Sequence, residues 1–424
     1  MKEVKKFVYI ALVAGGMLGS FISCDYLDVS KELSENLTLE QVFNNPGYTK
    51  RWQANIYNCI PNYSEMGKEA TTGFTGIWNL MSGQVVANTT AVGTQMLTGF
   101  NSSNASFHRW ATLYKYIRQG FIFLDNAKDY MGSEQDVSYI SKKDMDRLKA
   151  ETKFLIAYSY FSLFELYGPV PLITEIEDPE NKTIDYPRAS VDEIVNYIDR
   201  LLQEVLDSNA LPETLFTESA SGSLDYEHNN DRYNLKEIVR PTKVTVLALR
   251  AKLWVYAASP LFNGGYGEAL QLTNKDGKHL FPDEDKTKWN TAKTHLETLF
   301  TFAEAKGHKL YYSKPGSNGL PDPNLSVYEL FQYYNDEILW ANGNNSYRIV
   351  GNDMERRTCP RGANGFCNIG LYQEGVDAFF TKNGLTIEED PEYNEDGFGN
   401  LTNVCSSTLH NDKHIFNMYH NREP

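Results

Sequence analysis

The sequence predicts a mainly α-helical fold of stacked helical hairpins, with long irregular loops and a few short strands. Three observations support this class. Apolar residues recur at helical spacing in several separate segments. Small alanine and glycine positions alternate there with large aromatic side chains, and aromatic residues make up 13% of the chain. The segments follow one another in pairs, which is typical of hairpins stacked as a solenoid, although no strict repeat period can be counted.

The first residues have the pattern of a secretory signal rather than of a fold element. Lys2, Lys5 and Lys6 precede an uncharged apolar run that covers residues 7–21. This run of 15 residues is shorter than the roughly 20 that a helix needs to cross a bilayer. The sequence therefore predicts export and not a transmembrane helix.

Cys24 stands directly after this run, in the sequence FISC, and allows two interpretations. In one, a signal peptidase cuts nearby and Cys24 is an ordinary thiol. In the other, FISC is a bacterial lipobox, the chain is cut before Cys24, and the thiol carries the several acyl chains that stable anchoring needs. An unpaired cysteine at this place favours the second interpretation, so residues 1–23 are predicted to be a lipoprotein signal peptide and Cys24 the lipid anchor.

The charge of the chain excludes some classes of partner. The 424 residues have a formal net charge of −15. The predicted signal peptide carries three lysines and one glutamate, so its removal would bring the charge to −17. Such a chain lacks the basic surface that nucleic acid or an anionic lipid surface requires. We therefore expect no nucleic-acid partner, and contact with the membrane through the lipid anchor only.

The other cysteines are too few and too scattered for a disulfide scaffold. They are Cys59, Cys359, Cys367 and Cys405. Cys359 and Cys367 could pair across a short loop or remain separate, and the sequence leaves both alternatives open.

The first helices can be placed from caps and breaks. A helix is predicted to begin after Thr38, a suitable N-cap, to break at the Asn-Pro-Gly sequence of 45–47 and to continue to Cys59. A polar loop rich in Gly, Ser, Thr and Asn follows over 61–106, and the next helix covers 108–127.

Residues 142–167 predict the central helix of the protein. Over 154–167 its apolar residues nearly encircle the helix, which is typical of a fully buried one. Gly168, Pro169 and Pro171 end it, because proline and a C-terminal glycine do not continue a helix.

The rest of the chain alternates helices with polar loops. Further helices are predicted at 188–212, at 241–260 with Pro241 in the first turn, and at 289–307, with a polar loop over 213–238. From 308 onward the chain is predicted to be loop-rich, with strand-like pieces such as 337–341.

A search for catalytic or metal-binding patterns predicts neither an enzyme nor a metal site. The sequence lacks a G-x-S-x-G elbow, a phosphate-binding glycine loop and an H-E-x-x-H pair. Residues 392–397 resemble a calcium loop, but Glu392 replaces the first aspartate and Asn403 the twelfth-position glutamate, which favours an acidic turn. A zinc cluster can be drawn, but solvated loop side chains explain its members better; they are Cys405, His410, His414 and His420.

Several segments, in order along the chain, resemble the SusD/RagB family of surface lipoproteins. Residues 150–173 (AETKFLIAYSYFSLFELYGPVPLI) resemble its signature segment. Similar motifs are CDYLDV at 24–29, WATLYKYIRQG at 110–120, YPRASVDEIVNYI at 186–198, RPTKVTVLALRAKLWVYAASPLFNGG at 240–265, NDEILWA at 335–341 and VDAFFTKNGL at 376–385. Single matches are weak, whereas seven in the family's order are specific.

The chain departs from the family pattern at a few positions and at its end. Ile156 stands where the family has arginine, and Val244 and Val246 replace small alanines. The last residues, NREP, resemble the start of the family's Arg-Glu-Pro-Arg-Phe-Tyr segment, and family members usually continue for well over a hundred residues with further helices. We therefore expect one SusD-like domain over 24–424, with an N-terminal region over 24–235 and an incomplete C-terminal region over 236–424.

The resemblance implies a function. Such proteins are anchored by a lipidated cysteine, here Cys24, on the outer face of the outer membrane of Gram-negative bacteria of the Bacteroidetes type. They form a lid over a TonB-dependent, SusC-like barrel and bind a glycan for import. Their tetratricopeptide-like helices face the barrel and their loops shape the sugar site. The family is non-enzymatic and needs no cofactor.

The candidate sugar-binding residues are aromatic side chains in loops, next to amides or arginine, because sugars offer both apolar faces and hydroxyls. The alternative is that these aromatics fix long loops to the core. Trp78, among glycines and amides, is the leading candidate. The full set is Phe74, Trp78, Asn79 and Gln84 in the 61–106 loop, and Tyr266, Tyr333, Tyr334 and Arg348 in later loops. A binding protein for peptides or glycopeptides is the alternative function, followed by a surface hydrolase.

Overall fold

The computed structural model describes residues 37–61, 82, 85–87, 109–176, 185–217, 232–316, 318–342, 361–365, 369–381 and 383–393. The chain divides into two compact units. The first unit is Met1–Ile60 with Trp110–Gly343, and the second is Pro61–Arg109 with Asn344–Pro424. The division into SusD-like regions given above stays a prediction.

The described part of the first unit is helical. Its helices are α1 (Leu39–Asn44), α2 (Pro46–Ile56), α3 (Trp110–Asn126), α4 (Lys142–Tyr167), α5 (Val191–Ser208), α6 (Lys243–Ala258), α7 (Thr287–Ala305) and α8 (Pro323–Leu330). Short 3-10 helices lie at Tyr57–Cys59, Leu235–Glu237 and Ala269–Gln271. This confirms a mainly helical fold.

The second unit contains the short strands. In its described part, β1 (Val85–Ala87) and β2 (Ile369–Leu371) pair antiparallel, with Val85 opposite Leu371 and Ala87 opposite Ile369. A 3-10 turn at Arg361–Ala363 precedes β2, and α9 (Gln373–Asp377) follows it.

The start of the first unit is defined by side-chain caps. Thr38 accepts a hydrogen bond from the backbone of Gln41, whose side chain accepts one from the Thr38 backbone, so α1 begins with a capping box. Asn45 then ends α1 and caps α2, with Pro46 in the first position of α2. The predicted cap and break are both confirmed.

Helix α4 lies at the centre of the unit. From Phe154 to Phe164 nearly every side chain is buried, including Leu155, Tyr160 and Phe161. Gly168 ends the helix at φ 65°, a conformation that glycine adopts easily. The predicted buried helix is therefore confirmed.

Each long helix packs on the next one along the chain. Helix α3 packs on α4, α4 on α5, α5 on α6 and α6 on α7, as stacked hairpins require. Ile156 of α4 is buried against Gly120 of α3, where an added Cβ would lie 2.7 Å from Ile156 Cγ1. Val244 and Val246 of α6 are also buried. These departures from the family pattern therefore fill the core.

Three details of the sequence prediction were wrong. Helix α6 begins at Lys243 after the N-cap Thr242, so Pro241 lies before the helix and not in its first turn. Helix α8 was missed, because its buried side is polar. Residues 337–341 form turns and irregular backbone instead of a strand, since the Asn335 side chain accepts from the Glu337 amide and bends the chain there.

A buried carboxylate, Glu151 of α4, joins distant segments of the first unit. Its side chain is fully buried. One oxygen accepts hydrogen bonds from Nε of Arg147 at 2.9 Å and Nε of Arg240 at 2.8 Å. The other accepts from the hydroxyl of Tyr57 at 2.8 Å. Glu237 contacts both arginines, so two carboxylates and two guanidinium groups balance one another.

This buried cluster also affects the hydroxyl of Tyr57. Burial, followed by the negative charge of Glu151, raises the pKa of Tyr57 well above its usual value. The hydroxyl therefore remains a donor to Glu151 throughout the physiological range.

Replacement of Glu151 by Gln should strongly destabilise the protein. The amide keeps the shape of the side chain but leaves both guanidinium groups with Glu237 as their one remaining carboxylate in the cluster. We expect a loss of about 3 kcal/mol in the free energy of unfolding, because breaking a buried pair costs about 3–5 kcal/mol. Urea unfolding followed by circular dichroism measures it.

Glu204→Gln is the matched control for this experiment. Glu204 pairs with Lys153 and Arg200 but is 36% exposed, and a pair of this kind contributes less than about 1 kcal/mol. Equal losses of unfolding free energy in the two variants would show that the buried cluster stabilises the protein no more than an exposed ion pair does.

Candidate functional site

Most of the site residues that the sequence predicts lie outside the described residues. These are Cys24, Phe74, Trp78, Asn79, Gln84 and Arg348, as well as the cysteines at 359 and 367. Their roles stay predictions. Tyr266, Tyr333 and Tyr334 lie in the described part of the first unit.

Tyr266 projects from a tight turn after α6 and is half-exposed. Gly264 has φ +71°, and a Cβ there would lie 2.2 Å from the backbone nitrogen of Glu284, so this turn requires glycine. A hydrogen bond with Glu268 raises the pKa of the Tyr266 hydroxyl. Tyr266 thus offers an exposed ring on a fixed turn, as a sugar contact needs.

Tyr334 is held by the core. Its ring lies edge-on to Tyr233, with 4.9 Å between the centroids, and burial raises its pKa to about 12. Its hydroxyl donates to the carbonyl oxygen of Ile338. Tyr333 beside it is partly buried. Tyr334 therefore fixes its loop, and Tyr266 stands on a different segment.

A buried ion pair holds the loop of Tyr334 in place. Asp336 is fully buried and accepts from Nε and Nη2 of Arg232 at 2.9 and 2.7 Å. The Tyr233 hydroxyl also donates to it. His308 Nδ1 bonds the Asp336 carbonyl oxygen at 2.8 Å, and the His308 ring packs on Phe216. Bidentate ion pairs of this kind define the geometry of a contact in addition to stabilising it.

The buried His308 makes stability depend on pH. Burial lowers the pKa of His308, although the Asp336 carbonyl and carboxylate partly oppose this. The unfolded chain takes up the proton near pH 6.5, so the stability that His308 provides is present above that pH and is lost as the pH falls through it. Lowering the pH from about 7.5 to 5.5 should therefore lower the urea midpoint.

His308→Asn tests this assignment, because the amide can still donate to the Asp336 carbonyl but cannot titrate. We expect the urea midpoint of His308→Asn to fall less between the two pH values than that of the unmodified protein. The midpoint of His279→Asn, at an exposed ring, should fall as much as that of the unmodified protein. An unchanged loss in His308→Asn would contradict the assignment.

An open groove of about 560 Å³ lies at the start of α5. Leu172, Ala189 and the buried ring of Tyr197 form its apolar floor. Charged and amide side chains form its rim, namely Arg188, Glu193, Asn196, Arg200 and Lys278. A volume of this size falls within the roughly 300–1,000 Å³ of ligand pockets. This groove is the second candidate site, and sequence reasoning missed it.

Helix α5 places several of these side chains on one face. Ser190 caps the helix and forms a capping box with Glu193. Glu193, Asn196 and Arg200 follow at helical spacing and therefore point the same way. The guanidinium of Arg200 lies 5.1 Å from the centre of the Tyr197 ring. Burial is the main cause that raises the pKa of Tyr197 to about 12.

The segment of Leu172 is fixed by two tyrosines of neighbouring helices. The Tyr114 hydroxyl donates to the Pro171 carbonyl at 2.7 Å. The Tyr160 hydroxyl donates to the Ile173 carbonyl at 2.5 Å and accepts from the Ile173 amide at 2.9 Å. The part of the groove floor that Leu172 forms is therefore held in place.

A hairpin turn contributes Lys278 to the groove. Thr273 pairs with His279, and Gly277 has φ +85° at the tip. The Asn274 side chain donates to the Arg188 carbonyl at 2.8 Å, which ties the turn to the helix start. Lys278 then reaches both carboxylate oxygens of Glu193 at 2.5 Å, and this contact is the main cause that lowers the pKa of Glu193. Lys278 and Glu193 lie far apart in sequence, so no local pattern could reveal the groove.

Two further observations concern the described residues as a whole. None of their helices combines the length and apolar character needed to cross a membrane. Their His, Cys, Asp and Glu side chains form no group of three or more that could hold a metal ion. The predicted acidic turn continues beyond the last described residue, and Cys405, His410, His414 and His420 lie outside the described part.

The fold and the groove define a protein of stacked helical hairpins with a surface groove, and comparisons show which proteins it resembles. Residues 25–223 match the family model SusD-like_3, described as "Starch-binding associating with outer membrane". No curated protein matches the chain. The chain is therefore similar to SusD-like proteins over residues 25–223, which supports the resemblance to the SusD/RagB family.

Solved structures show the same fold at low sequence identity. The protein BT4246 is 21% identical with a TM-score of 0.59, over 82% of this chain and 59% of that one. A SusD-like protein (BF3747) from Bacteroides fragilis is 16% identical with a TM-score of 0.54, over 86% and 58%. A SusD-like carbohydrate binding protein (BF0978) from the same species is 14% identical with a TM-score of 0.52, over 84% and 57%. The chain thus spans less than two thirds of the length of these proteins.

Proposed function

We propose that the protein binds glycans at the surface of a Gram-negative outer membrane and delivers them to a TonB-dependent, SusC-like transporter. The match of residues 25–223 to a family described as starch-binding and associated with the outer membrane carries this proposal. In it, Cys24 is the lipid anchor, the protein has no catalytic role and no cofactor, and the transporter is the protein partner.

The geometry of the first unit supports sugar binding. Sugars need apolar surface next to polar groups in fixed positions. The groove at α5 offers both, and side-chain hydrogen bonds hold its backbone at two places, around Leu172 and at Arg188. Tyr266 adds an exposed ring on a turn in which Gly264 packs closely against the backbone of Glu284.

Retardation of the purified protein in native gels that contain a panel of polysaccharides tests the proposal. We expect retardation by one class of glycan. Trp78→Ala should weaken it about tenfold, because a stacked aromatic ring contributes up to about 1.5 kcal/mol beyond its buried area, and Tyr266→Ala should weaken it less.

Trp289→Ala is the matched control. Trp289 of α7 is 49% exposed and is not among the candidates, so its loss should leave retardation unchanged. Circular dichroism confirms that each variant is folded. Retardation by peptides or glycopeptides alone would contradict glycan binding, and release of reducing ends from a polysaccharide would contradict the non-catalytic role.

A further inference from the structure

We infer that the groove at the start of α5 is a subsite for sugars that carry a negative charge, as a carboxylate or a sulfate group. This rests on the proposed function, because it assigns a class of substrate to a glycan-binding protein. The rim carries three cationic side chains, Arg188, Arg200 and Lys278, against the single carboxylate of Glu193. The chain as a whole has a formal charge of −15, so the groove is opposite in sign to the rest of the protein.

Arg188 is the central group of this inference. It is exposed on the rim, two residues before the N-cap Ser190 of α5, and forms no ion pair with the described residues. Its backbone is fixed, since its carbonyl accepts from Asn274 and the next amide, of Ala189, donates to the Val170 carbonyl at 2.9 Å. A guanidinium in such a place offers a fork of N–H donors that matches a carboxylate or a sulfate.

The other two cations are positioned by carboxylates but keep donors for a ligand. Lys278 uses Glu193, and Arg200 uses Nη1 for Glu204 at 2.8 Å. An ammonium group has three donors and a guanidinium five. Both side chains can therefore contact an anion in the groove while their own ion pairs hold them in place.

The apolar lining of the groove would contact the sugar ring, whereas the cationic side chains would contact its anionic substituent. Leu172 is partly exposed beside the charged side chains, whereas Ala189 and Tyr197 are almost fully buried, so contact with the C–H face of a sugar ring would fall mainly to Leu172. Because hydrogen bonds hold the backbone around Leu172 and at Arg188 before binding, the ordering cost of association is small. The arrangement thus selects a sugar with an anionic substituent over an inorganic anion.

Matched pairs of polysaccharides test the inference in the same native gels. Dextran sulfate is compared with dextran, and polygalacturonate with its fully methyl-esterified form, so that only the charge changes within each pair. We expect the charged member of at least one pair to bind about tenfold more tightly, in line with one charge-assisted hydrogen-bonded contact. The pair that responds identifies sulfate or carboxylate as the preferred group.

Arg188→Ala should weaken binding of the charged member about tenfold. Arg188→Lys should keep part of this binding, because the positive charge remains but the forked arrangement of N–H donors is lost. Arg51→Ala is the matched control, since Arg51 is an exposed arginine of α2 outside the groove, and it should bind like the unmodified protein.

The outcomes separate this inference from the proposed function. Equal binding within both pairs, or equal binding by Arg188→Ala and Arg51→Ala, overturns the inference. The proposed function then still stands if neutral glycans retard the protein in a Trp78-dependent way. If the folded protein binds neither charged nor neutral glycans, both are overturned.

Discussion

The buried carboxylate of Glu151 is the constraint on which the first unit depends. It connects the end of α2, the middle of α4 and the segment that leads into α6. These parts are distant in sequence, and few apolar contacts could define their positions as specifically as fork-shaped hydrogen bonds do. Since Arg240 lies two residues before the N-cap Thr242, the same cluster also holds the segment that leads into α6.

Helix α4 connects the buried cluster around Glu151 with the groove at the surface. Its N-terminal half holds Glu151, and its mostly buried C-terminal half includes Tyr160, whose hydroxyl fixes the backbone at Ile173. The Tyr160 ring also lies edge-on to Tyr197, at 5.3 Å between centroids. The floor of the groove is therefore built directly on the core. A site supported in this way needs little rearrangement to bind its ligand.

The long helices could be predicted from the sequence because their buried faces are apolar and their caps are local. Helix α8 could not, since Ser326 and Glu329 face inward to Ser313 and Tyr311 while Leu325 and Tyr328 are exposed. Its pattern of apolar residues is inverted. Residues 337–341 have strand-like composition, but the turn at Asn335 and the hydrogen bond from Trp340 to the Val239 carbonyl determine their path.

The candidate site was predicted only in part, for a related reason. The exposure of Tyr266 follows from its neighbouring glycines, which are visible in the sequence. The burial of Tyr334 depends on Tyr233, about a hundred residues away. The groove combines Leu172, the start of α5 and Lys278, so it exists only once α4 and α5 have packed. The family resemblance indicated glycan binding but could not place this groove.

The central proposal, that this protein binds glycans, is tested most directly on a glycan microarray. The purified, folded protein is applied at increasing concentration, and free oligosaccharide is used as competitor. The account predicts saturable binding to a restricted set of glycans, which the matching free oligosaccharide abolishes. Absence of binding to every glycan, by protein whose circular dichroism shows the helical fold, would contradict it.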